Sequence, residues 1–378
     1  MVSGIRVLVA GASIAGPALA HWLRRRGAEV TVVERAPGLR PGGQAVDARG
    51  VAKEVIVRMG LDAAVRAART DTAGAYTVDA DGNVLETFRA DDDGGDGYIA
   101  EIEILRGDLS QVLYDDTRDG VDVTFAGGDR RRFDLVIGAD GLHSSLRAMV
   151  FGPREQFVRH LGMVLAFYTV PNEFEVDRWL VDYQDSGRSA GLRPLRDPTR
   201  AMAMLSFMDP EFDVDYRDVE AQKRLLRDRM AGFGWLTPRI LAHLDDTPDF
   251  YLDQVAQVVM DRWSNGRVGL LGDAAFSSSP MSGGGTGLAL VGAYLLAGEL
   301  AAAGWDPAAG FAAYEQRMRP FVEANQEIGR MHVQSRDVPG PDAEPSPEPD
   351  MEALMQLVER AINGVELPDY ADAPGLAH

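Results

Sequence analysis

The chain has 378 residues, of which 46% are hydrophobic, 25% charged and 8% aromatic, and its formal net charge is -20. This composition is typical of a folded protein and excludes a disordered, collagen-like or coiled-coil chain. The acidic excess repels nucleic acid and anionic membrane surfaces, so we expect neither as a partner. The absence of cysteine excludes disulfides, thiolate nucleophiles and a flavin attached through sulfur. We therefore expect a soluble cytoplasmic protein.

The N-terminal segment predicts a β-α-β unit. Residues 5–10 form a β-branched run that is typical of a buried parallel strand, residues 15–26 have helical character, and residues 29–34 predict a second strand. No basic segment precedes the first apolar run, and glycine and proline interrupt it, which argues against a secretory signal.

The remaining elements follow in chain order. Helices are predicted at 51–59, 61–68, 105–118, 219–230, 238–243, 288–303, 307–331 and 351–363. Strands are predicted as a hairpin at 72–88, a second hairpin from 121–125 and 133–137, and single strands at 161–170, 179–183, 201–207, 250–260 and 267–271. The 288–303 helix is apolar enough to suggest a membrane span, but it carries Glu299, so we predict a buried core helix. A Pro-rich linker is predicted at 338–350. This order indicates one α/β domain interrupted by a second sheet.

The first chemical motif is Gly11-Ala-Ser13-Ile-Ala-Gly16, a dinucleotide-binding loop with Ser13 at its middle glycine position. In such loops the first glycine allows the turn, the middle residue lets pyrophosphate approach, and the third lets the helix pack on the strand. Glu34 ends the next strand, where a ribose hydroxyl requires an acceptor, and Arg35 follows it. The pattern indicates an adenosine ribose without a 2′-phosphate, a condition that FAD and NAD both satisfy.

The second motif ends a buried strand with Gly138-Ala-Asp140-Gly141 and continues to Arg147. A strand of this kind delivers a carboxylate into the crevice at the sheet end, where ligands of such folds bind. An ordinary strand followed by an Asp-Gly turn has the same local sequence.

The third motif places Asp273 after a buried strand and a glycine-rich stretch at the start of the next helix. Exposed amides and the helix dipole there would stabilise an anion such as the edge of a reduced flavin, and Asp273 would accept from a sugar-like hydroxyl. A merely flexible loop is a poor explanation, because the glycines lie between a buried strand and an apolar helix.

In this order, the three motifs resemble those of the FAD-dependent aromatic hydroxylase family, the single-component flavoprotein monooxygenases of the para-hydroxybenzoate hydroxylase type. The resemblance extends from about residue 4 to about residue 335. The strings GASIAGPALA, RPGGQAVD, LRGDL, GADGLHSSLR and GDAAFSSSPMSGGGTGLALVGAYLLAGEL are most similar to the subgroup that includes the tetracycline-inactivating monooxygenases.

The resemblance implies an α/β fold: a Rossmann-like FAD-binding domain of the glutathione-reductase type, an inserted mixed or antiparallel β-sheet domain for substrate, and C-terminal helices. The implied boundaries are 1–70, 101–155 and 259–305 for the FAD-binding domain, 71–100 and 156–258 for the substrate domain, and 306–378 for the C-terminal helical segment.

The resemblance also implies roles for individual residues. The ADP half of FAD would be held by Gly11, Ala12, Ser13, Ile14, Ala15, Gly16, Glu34 and Arg35. Arg106 would reach the cofactor from its helix, Asp47 would lie near the flavin, and Asp273 would bind the ribityl chain. The isoalloxazine would be bordered by Pro280, Gly283, Gly284, Gly285, Thr286 and Gly287. Asp140 belongs to a motif that the family associates with both FAD and NAD(P)H.

The implied activity is a monooxygenase reaction in which NADPH or NADH reduces FAD, and O2 forms a flavin C4a-hydroperoxide that hydroxylates an aromatic or polyketide-like molecule. The cofactor carries this chemistry, so no catalytic side chain is required. The strand-rich region from 160 to 207 would form the substrate wall, with Gln184, Arg193 and Met204 as candidate substrate contacts. The six histidines have no metal-ligand spacing, so no metal site is expected. The oligomeric state stays open.

Two alternatives remain. A flavin-dependent reductase or halogenase shares the first and third motifs, although no Trp-x-Trp pair of the halogenase kind is present. A catalytically weak flavin-binding or ligand-binding protein would follow from a shortened segment near Gly120. At that point the chain has about 20 residues fewer than the family pattern, room for a further strand and its connection. Either the FAD-binding domain is truncated at a sheet edge or the natural chain is heavier than 41.0 kDa, which intact mass would decide.

Overall fold

A computed structural model describes residues 4–36, 38–39, 43–90, 95–117, 122–125, 131–215, 217–336 and 350–370. The shortened segment at Gly120 and the predicted linker up to residue 349 lie outside these described residues.

The described residues form fifteen strands and eleven α-helices. The strands are β1 (Arg6–Ala10), β2 (Glu29–Glu34), β3 (Ala45–Ala48), β4 (Gly74–Val78), β5 (Val84–Arg89), β6 (Ile102–Leu105), β7 (Asp122–Phe125), β8 (Leu135–Gly138), β9 (Val158–Pro171), β10 (Trp179–Asp185), β11 (Arg188–Pro194), β12 (Arg200–Met208), β13 (Tyr251–Val258), β14 (Ser264–Asn265) and β15 (Val268–Leu270). The helices are α1 (Ala15–Arg25), α2 (Val51–Met59), α3 (Asp62–Ala68), α4 (Arg106–Thr117), α5 (Ser145–Val150), α6 (Val219–Met230), α7 (Thr237–Ala242), α8 (Asp273–Phe276), α9 (Gly285–Ala302), α10 (Pro307–Gln334) and α11 (Met351–Asn363).

The first sheet has the strand order β14-β15-β8-β1-β2-β7 and is parallel apart from the short β14–β15 pair. Its centre is the predicted β-α-β unit, in which Val7 and Val9 of β1 are fully buried. These β-branched side chains suit a strand that is covered on both faces. The carboxyl ends of β1 and β8 therefore lie side by side, with Ala10 opposite Gly138.

The predicted hairpin between residues 121–125 and 133–137 is wrong. β7 pairs in parallel with β2 at the sheet edge, whereas β8 pairs in parallel with β1 and β15. Two strands separate β7 from β8. A short β-branched run predicts a strand but not its neighbour, and the parallel pairing of β8 with β1 and β15 has no local sequence signal.

The second sheet has the order β13-β9-β12-β11-β10-β4-β5 and is antiparallel except for the β10–β4 pair, so the predicted mixed sheet is confirmed. One of its faces packs against α6 and α7 through a large apolar cluster that includes Tyr168 and Phe207. The opposite face carries the polar and thioether side chains described below. A third, two-stranded sheet joins β3 and β6.

Helix α9 forms the centre of the main core, where residues Thr286 to Ala301 are all buried. By length and composition it is long enough to cross a membrane, but 83% of it lies inside the protein. Its one carboxylate, Glu299, accepts hydrogen bonds from Arg317 at 2.5 Å and Tyr370 at 2.7 Å. The prediction of a buried core helix is thus confirmed. The domain boundaries themselves stay a prediction.

Candidate functional site

The loop between β1 and α1 is fixed by two contacts that leave no room for side chains. Gly11 has φ +112°, and a Cβ there would lie 2.3 Å from the carbonyl oxygen of Ala139. A Cβ on Gly16 would lie 1.9 Å from the carbonyl oxygen of Gly11. Both positions therefore require glycine, as the dinucleotide-loop pattern predicts. The loop closes directly against the end of β8.

Glu34 lies at the same loop, where its carboxylate accepts hydrogen bonds from the backbone amides of Ala12 and Ala36, both at 2.9 Å. Ile14 precedes α1 and makes no side-chain capping hydrogen bond. The first turn of α1 contains no acidic residue, so no side chain of that turn offsets the positive end of the helix dipole. Arg35 follows Glu34 at the end of β2.

Arg106, the first residue of α4, reaches the loop from the side. Its Nη2 donates to the Ser13 hydroxyl at 3.1 Å, and Ser13 lies 3.4 Å from the Ser110 hydroxyl. The Arg106 charge also acts on Asp273. Arg106 thus joins the first motif to the third, two segments more than 250 residues apart in the sequence.

Asp273 begins the four-residue helix α8 after Gly272, which has φ +63°. Asp273 lies in a recess that reaches solvent. Desolvation by the protein around it raises its pKa, against the charges of Arg106 and Arg147 and a hydrogen bond from Ser277. A Cβ on Gly272 would lie 3.1 Å from the Cβ of Ala15. The start of α1 and the start of α8 are therefore in close contact.

Asp140 is placed at the crevice but turns its carboxylate to the N-terminus of α5. It accepts from the amides of Ser145 at 2.7 Å and Leu146 at 3.1 Å and from the hydroxyl of Ser144 at 2.5 Å. Gly141, with φ +80°, allows the chain to turn immediately after it. Asp140 thus organises the second motif by bonding the first two amides of α5 and the hydroxyl of Ser144, the N-cap of this helix.

Arg147 has a role that the sequence did not reveal. Its side chain is 1% exposed and donates to the carbonyl oxygens of Leu142 at 2.6 Å and Ala274 at 2.8 Å. Burial lowers its pKa to about 10, although Asp140 and Asp273 counteract this. Arg147 therefore joins the second motif to the third. The only signal was its position at the end of the GADGLHSSLR string.

The glycine-rich segment runs from a 3-10 turn, Pro280–Ser282, into α9. Gly284 is the N-cap of α9 and donates to the Ser282 hydroxyl at 3.1 Å, and no side chain caps the helix. A Cβ on Gly285 would come 4.0 Å from the nearest Asp273 oxygen, so the start of this 18-residue helix lies next to Asp273. Gly287 faces Ala52 of α2, and Thr286 is buried. The arrangement is an uncapped positive pole beside a carboxylate.

Asp47 lies on β3 and pairs with Arg49 at 2.8 Å. Burial raises the pKa of Asp47 to about 6, with Arg49 acting in the opposite direction. Arg49 also donates to the carbonyl oxygen of Gly97 at 3.0 Å and lies 2.9 Å from the position of a Cβ on Gly283. Arg49 thus holds β3 next to the glycine-rich segment. Sequence reasoning missed it, because an arginine two residues after Asp47 has no motif value of its own.

The three candidate substrate residues lie on one face of the second sheet but do not form one cluster. Met204 is opposite Phe167 on one side and Gly191 on the other. Arg193 pairs with Met202 and Gln184 with Ser189, rows that are four residues apart, or about 13 Å.

Each of the two polar candidates also has a protein partner. Arg193 forms an ion pair with Glu103, and Gln184 donates to Asp182. The described residues contain no group of His, Asp or Glu that would hold a metal ion.

Comparison with known proteins gives these motifs a context. Residues 105–328 match the family model for an FAD binding domain. A flavin-dependent monooxygenase from Legionella longbeachae serogroup 1 (strain NSW150) is 35% identical over 394 residues, covering 98% of this chain and 99% of the relative. The uncharacterized protein Rv1260 from Mycobacterium tuberculosis (strain ATCC 25618 / H37Rv) is 46% identical over 385 residues, covering 96% and 99%.

The fold is also similar to solved structures. The crystal structure of tetracycline destructase Tet(55) superimposes with a TM-score of 0.84 at 35% identity, covering 98% of this chain and all (100%) of the other. Tetracycline destructase Tet(51) gives a TM-score of 0.83 with the same identity and coverage.

Proposed function

Because the chain belongs to the FAD-dependent aromatic hydroxylase family and is an FAD-using oxidoreductase, we propose that it oxidises NADPH or NADH and, with O2, hydroxylates an aromatic or polyketide-like small molecule. One observation carries the proposal: the N-termini of α1 and α9, neither of which has a side-chain cap, lie close together, with Arg106 and Asp273 between them.

This arrangement of helix termini and charged side chains matches the polarity of FAD along its whole length. The pyrophosphate is anionic and suits the N-terminus of α1 and the Arg106 guanidinium. The ribityl chain carries hydroxyl donors and suits the Asp273 carboxylate. The negative edge of a reduced isoalloxazine suits the amides at the start of α9. The distal end of the adenosine suits the Glu34 region, where the carboxylate and Arg35 supply an acceptor and donors.

Bound flavin supplies the redox and oxygen chemistry, and the protein supplies orientation and exclusion of water. We assign the second sheet as the substrate wall. The face that carries the candidate substrate residues also carries Phe167, which lies opposite Met204 on the neighbouring strand. Arg49 pairs with Asp47 of β3 and donates to the carbonyl oxygens of Gly97 and Tyr98, and so holds these two segments together. No protein nucleophile is needed for this chemistry.

The similarity to tetracycline destructases supports a fused-ring or other aromatic substrate class. We propose that class for this chain, and not a particular compound.

The test is a reconstitution followed by a substrate screen. Purified protein should be yellow or take up one FAD per chain, and NADPH or NADH oxidation should accelerate with one member of a panel of phenols, anthracyclines and tetracyclines. Mass spectrometry should then find one added oxygen in the product. A reductase would oxidise NAD(P)H without that product, and a binding protein would quench tryptophan fluorescence without consuming NAD(P)H. Either result would replace the proposed activity.

A further inference from the structure

Three buried or half-buried carboxylates lie on the side of the cleft where the substrate wall meets β3 and β6. Asp47 pairs with Arg49, and Glu103 pairs with Arg193 and accepts from two threonine hydroxyls. Asp182 is only 8% exposed, but among the described residues no Lys, Arg or His nitrogen lies within 4 Å of its oxygens. A buried carboxylate without a cation is costly, and such groups mark binding sites more often than ordinary ones do.

Asp182 lies on the same sheet face as Met204 and is held over a glycine. A Cβ on Gly191 would be 2.9 Å from Asp182 Oδ1 and 3.1 Å from Met204 Cε. Without that Cβ, the carboxylate and the thioether methyl lie side by side across β11. The wall therefore presents one negative oxygen next to one polarisable apolar group, a combination that suits an alkylated nitrogen cation.

The position of Asp182 relative to the cofactor site follows from the strand register. Asp182 is opposite Gly191, and the row continues through Met204 and Phe167 to Tyr251, one residue on each of five adjacent strands. The ends of the row are about 19 Å apart at the spacing of neighbouring strands. The Tyr251 hydroxyl is within reach of the Arg106 and Asp273 charges, so this end adjoins the proposed FAD site. The row thus leads from the cofactor along the substrate wall to Asp182.

The groups around Asp182 leave its charge only partly compensated. Gln184 donates one hydrogen bond to Oδ2 from the same strand, and Arg336, which follows the C-cap of α10, acts on the carboxylate from a distance. Among the described residues, Tyr98 in the loop before β6 is a further titratable neighbour of Asp182. Burial raises the pKa of Asp182 to about 6, which the Gln184 bond and Arg336 oppose, so the group is largely ionised at neutral pH.

We infer that Asp182 binds a protonated amine of the substrate, with the alkyl groups on that nitrogen against Met204. The substrate class then narrows to aromatic or polyketide-like molecules that carry a basic nitrogen. The inference rests on the proposed function in one respect, that the cleft beside the FAD site is where the substrate binds.

The test measures ligand affinity in the FAD-loaded protein without turnover. Two matched pairs serve as probes: tetracycline with its 4-dedimethylamino analogue, and tyramine with N-acetyltyramine. Binding is followed by flavin and tryptophan fluorescence at pH 7.5. At least one amine should bind about tenfold or more tighter than its neutral partner, as a charge-assisted contact requires. In Asp182→Asn that ratio should fall to about one, and it should also fall in the wild type at pH 5.

Asp185→Asn is the matched control, because Asp185 lies on the same strand but is exposed on the other side and bonded to Ser186. It removes the same charge and should keep the wild-type ratio. The inference is overturned if neither amine is preferred by the wild type, or if Asp182→Asn weakens both members of a pair equally. Circular dichroism and flavin content establish that the variant is folded.

The two proposals fail in different ways. Oxygen incorporation with neutral substrates only would preserve the proposed function and overturn the role of Asp182. Amine-selective binding without NAD(P)H oxidation would preserve the role of Asp182 and overturn the monooxygenase.

Discussion

Replacing Arg193 by methionine tests whether this arginine is a structural partner or a substrate contact. Its side chain is 12% exposed and forms an ion pair with Glu103, whose side chain is 5% exposed. Glu103 also accepts from the hydroxyls of Thr70 at 2.6 Å and Thr72 at 2.7 Å. Burial by itself raises the pKa of Glu103, but Arg193 and these hydrogen bonds together hold it below its ordinary value.

Arg193→Met leaves the Glu103 carboxylate buried with only its two hydroxyl partners. Removing one member of a buried ion pair costs about 3–5 kcal/mol, and we expect the lower end of that range because the two threonines remain. The loss should depend on pH. Without Arg193 the pKa of Glu103 rises above its unfolded value, so the penalty is largest above that pKa and shrinks as the pH falls and the group becomes neutral.

The double variant Glu103→Gln/Arg193→Met removes both charges and keeps an amide that bonds the threonines. It should recover most of the lost stability, with a coupling energy of about 2 kcal/mol in the double-mutant cycle. Equilibrium urea unfolding of the FAD-free protein, followed by tryptophan fluorescence at pH 5 and pH 8, gives the four free energies. Arg200→Met is the control, since Arg200 is exposed on the neighbouring strand and should change stability by no more than about 0.5 kcal/mol.

A cost of less than about 1 kcal/mol for Arg193→Met, or strict additivity in the cycle, would refute this reasoning. Arg193 would then be available to a ligand, as the sequence suggested. If the pair is structural, Arg193→Met should be less stable at pH 8, while the molecules that stay folded should bind ligand with the wild-type affinity.

Three further predictions concern the cofactor and the wall. Gly16→Ala should abolish FAD uptake, since its Cβ would lie 1.9 Å from a carbonyl oxygen, whereas Gly38→Ala, with nothing within 4 Å, should keep the wild-type flavin-to-protein absorbance ratio. Arg106→Met should weaken FAD binding by about tenfold or more in a fluorescence titration, through loss of charge-assisted hydrogen bonds, and unchanged affinity would remove Arg106 from the site. Asp182→Asn should stabilise the FAD-free protein at pH 8 by up to about 3 kcal/mol, because the pKa of Asp182 is raised from 3.8 to about 6. Above about pH 6 folding buries a carboxylate that is ionised in both states, whereas well below pH 4 the group is neutral in both. Most of the gain should therefore be lost at pH 4 in urea unfolding, and a constant gain would contradict the titration.

The sequence predicted elements whose local pattern is strong. The β-α-β unit follows from β-branched runs around a glycine loop, and α9 from a long apolar segment with Glu299 as its one charge. β11 was missed, because Gly191 and Arg193 weaken a strand pattern that pairing on both sides stabilises. The predicted hairpin at 121–137 was wrong, because which strands pair depends on tertiary contacts that a local sequence pattern does not show.

The site could be predicted only where a motif carries its own chemistry. The glycines at 11 and 16 have a local reason for being glycine, and the structure shows that reason. Arg147 bonds a carbonyl 127 residues away, and the Arg193–Glu103 pair joins two separate sheets. It is likewise visible only in three dimensions that no basic side chain of the described residues lies within 4 Å of the Asp182 carboxylate. Such long-range partners leave no spacing signal in one chain.

The burial of α9 has a consequence for how the protein is made. This helix packs against α1, α2 and α10, so its neighbours come from both ends of the chain. The ribosome completes α1 at Arg25 but does not begin α9 until Gly285. During that interval α1 can pack on β1, β2 and α4, but the part of its surface that α9 covers lacks its native neighbour. A nascent or truncated chain that stops before Gly285 therefore cannot complete its central core and should be recovered as aggregate or bound to a chaperone.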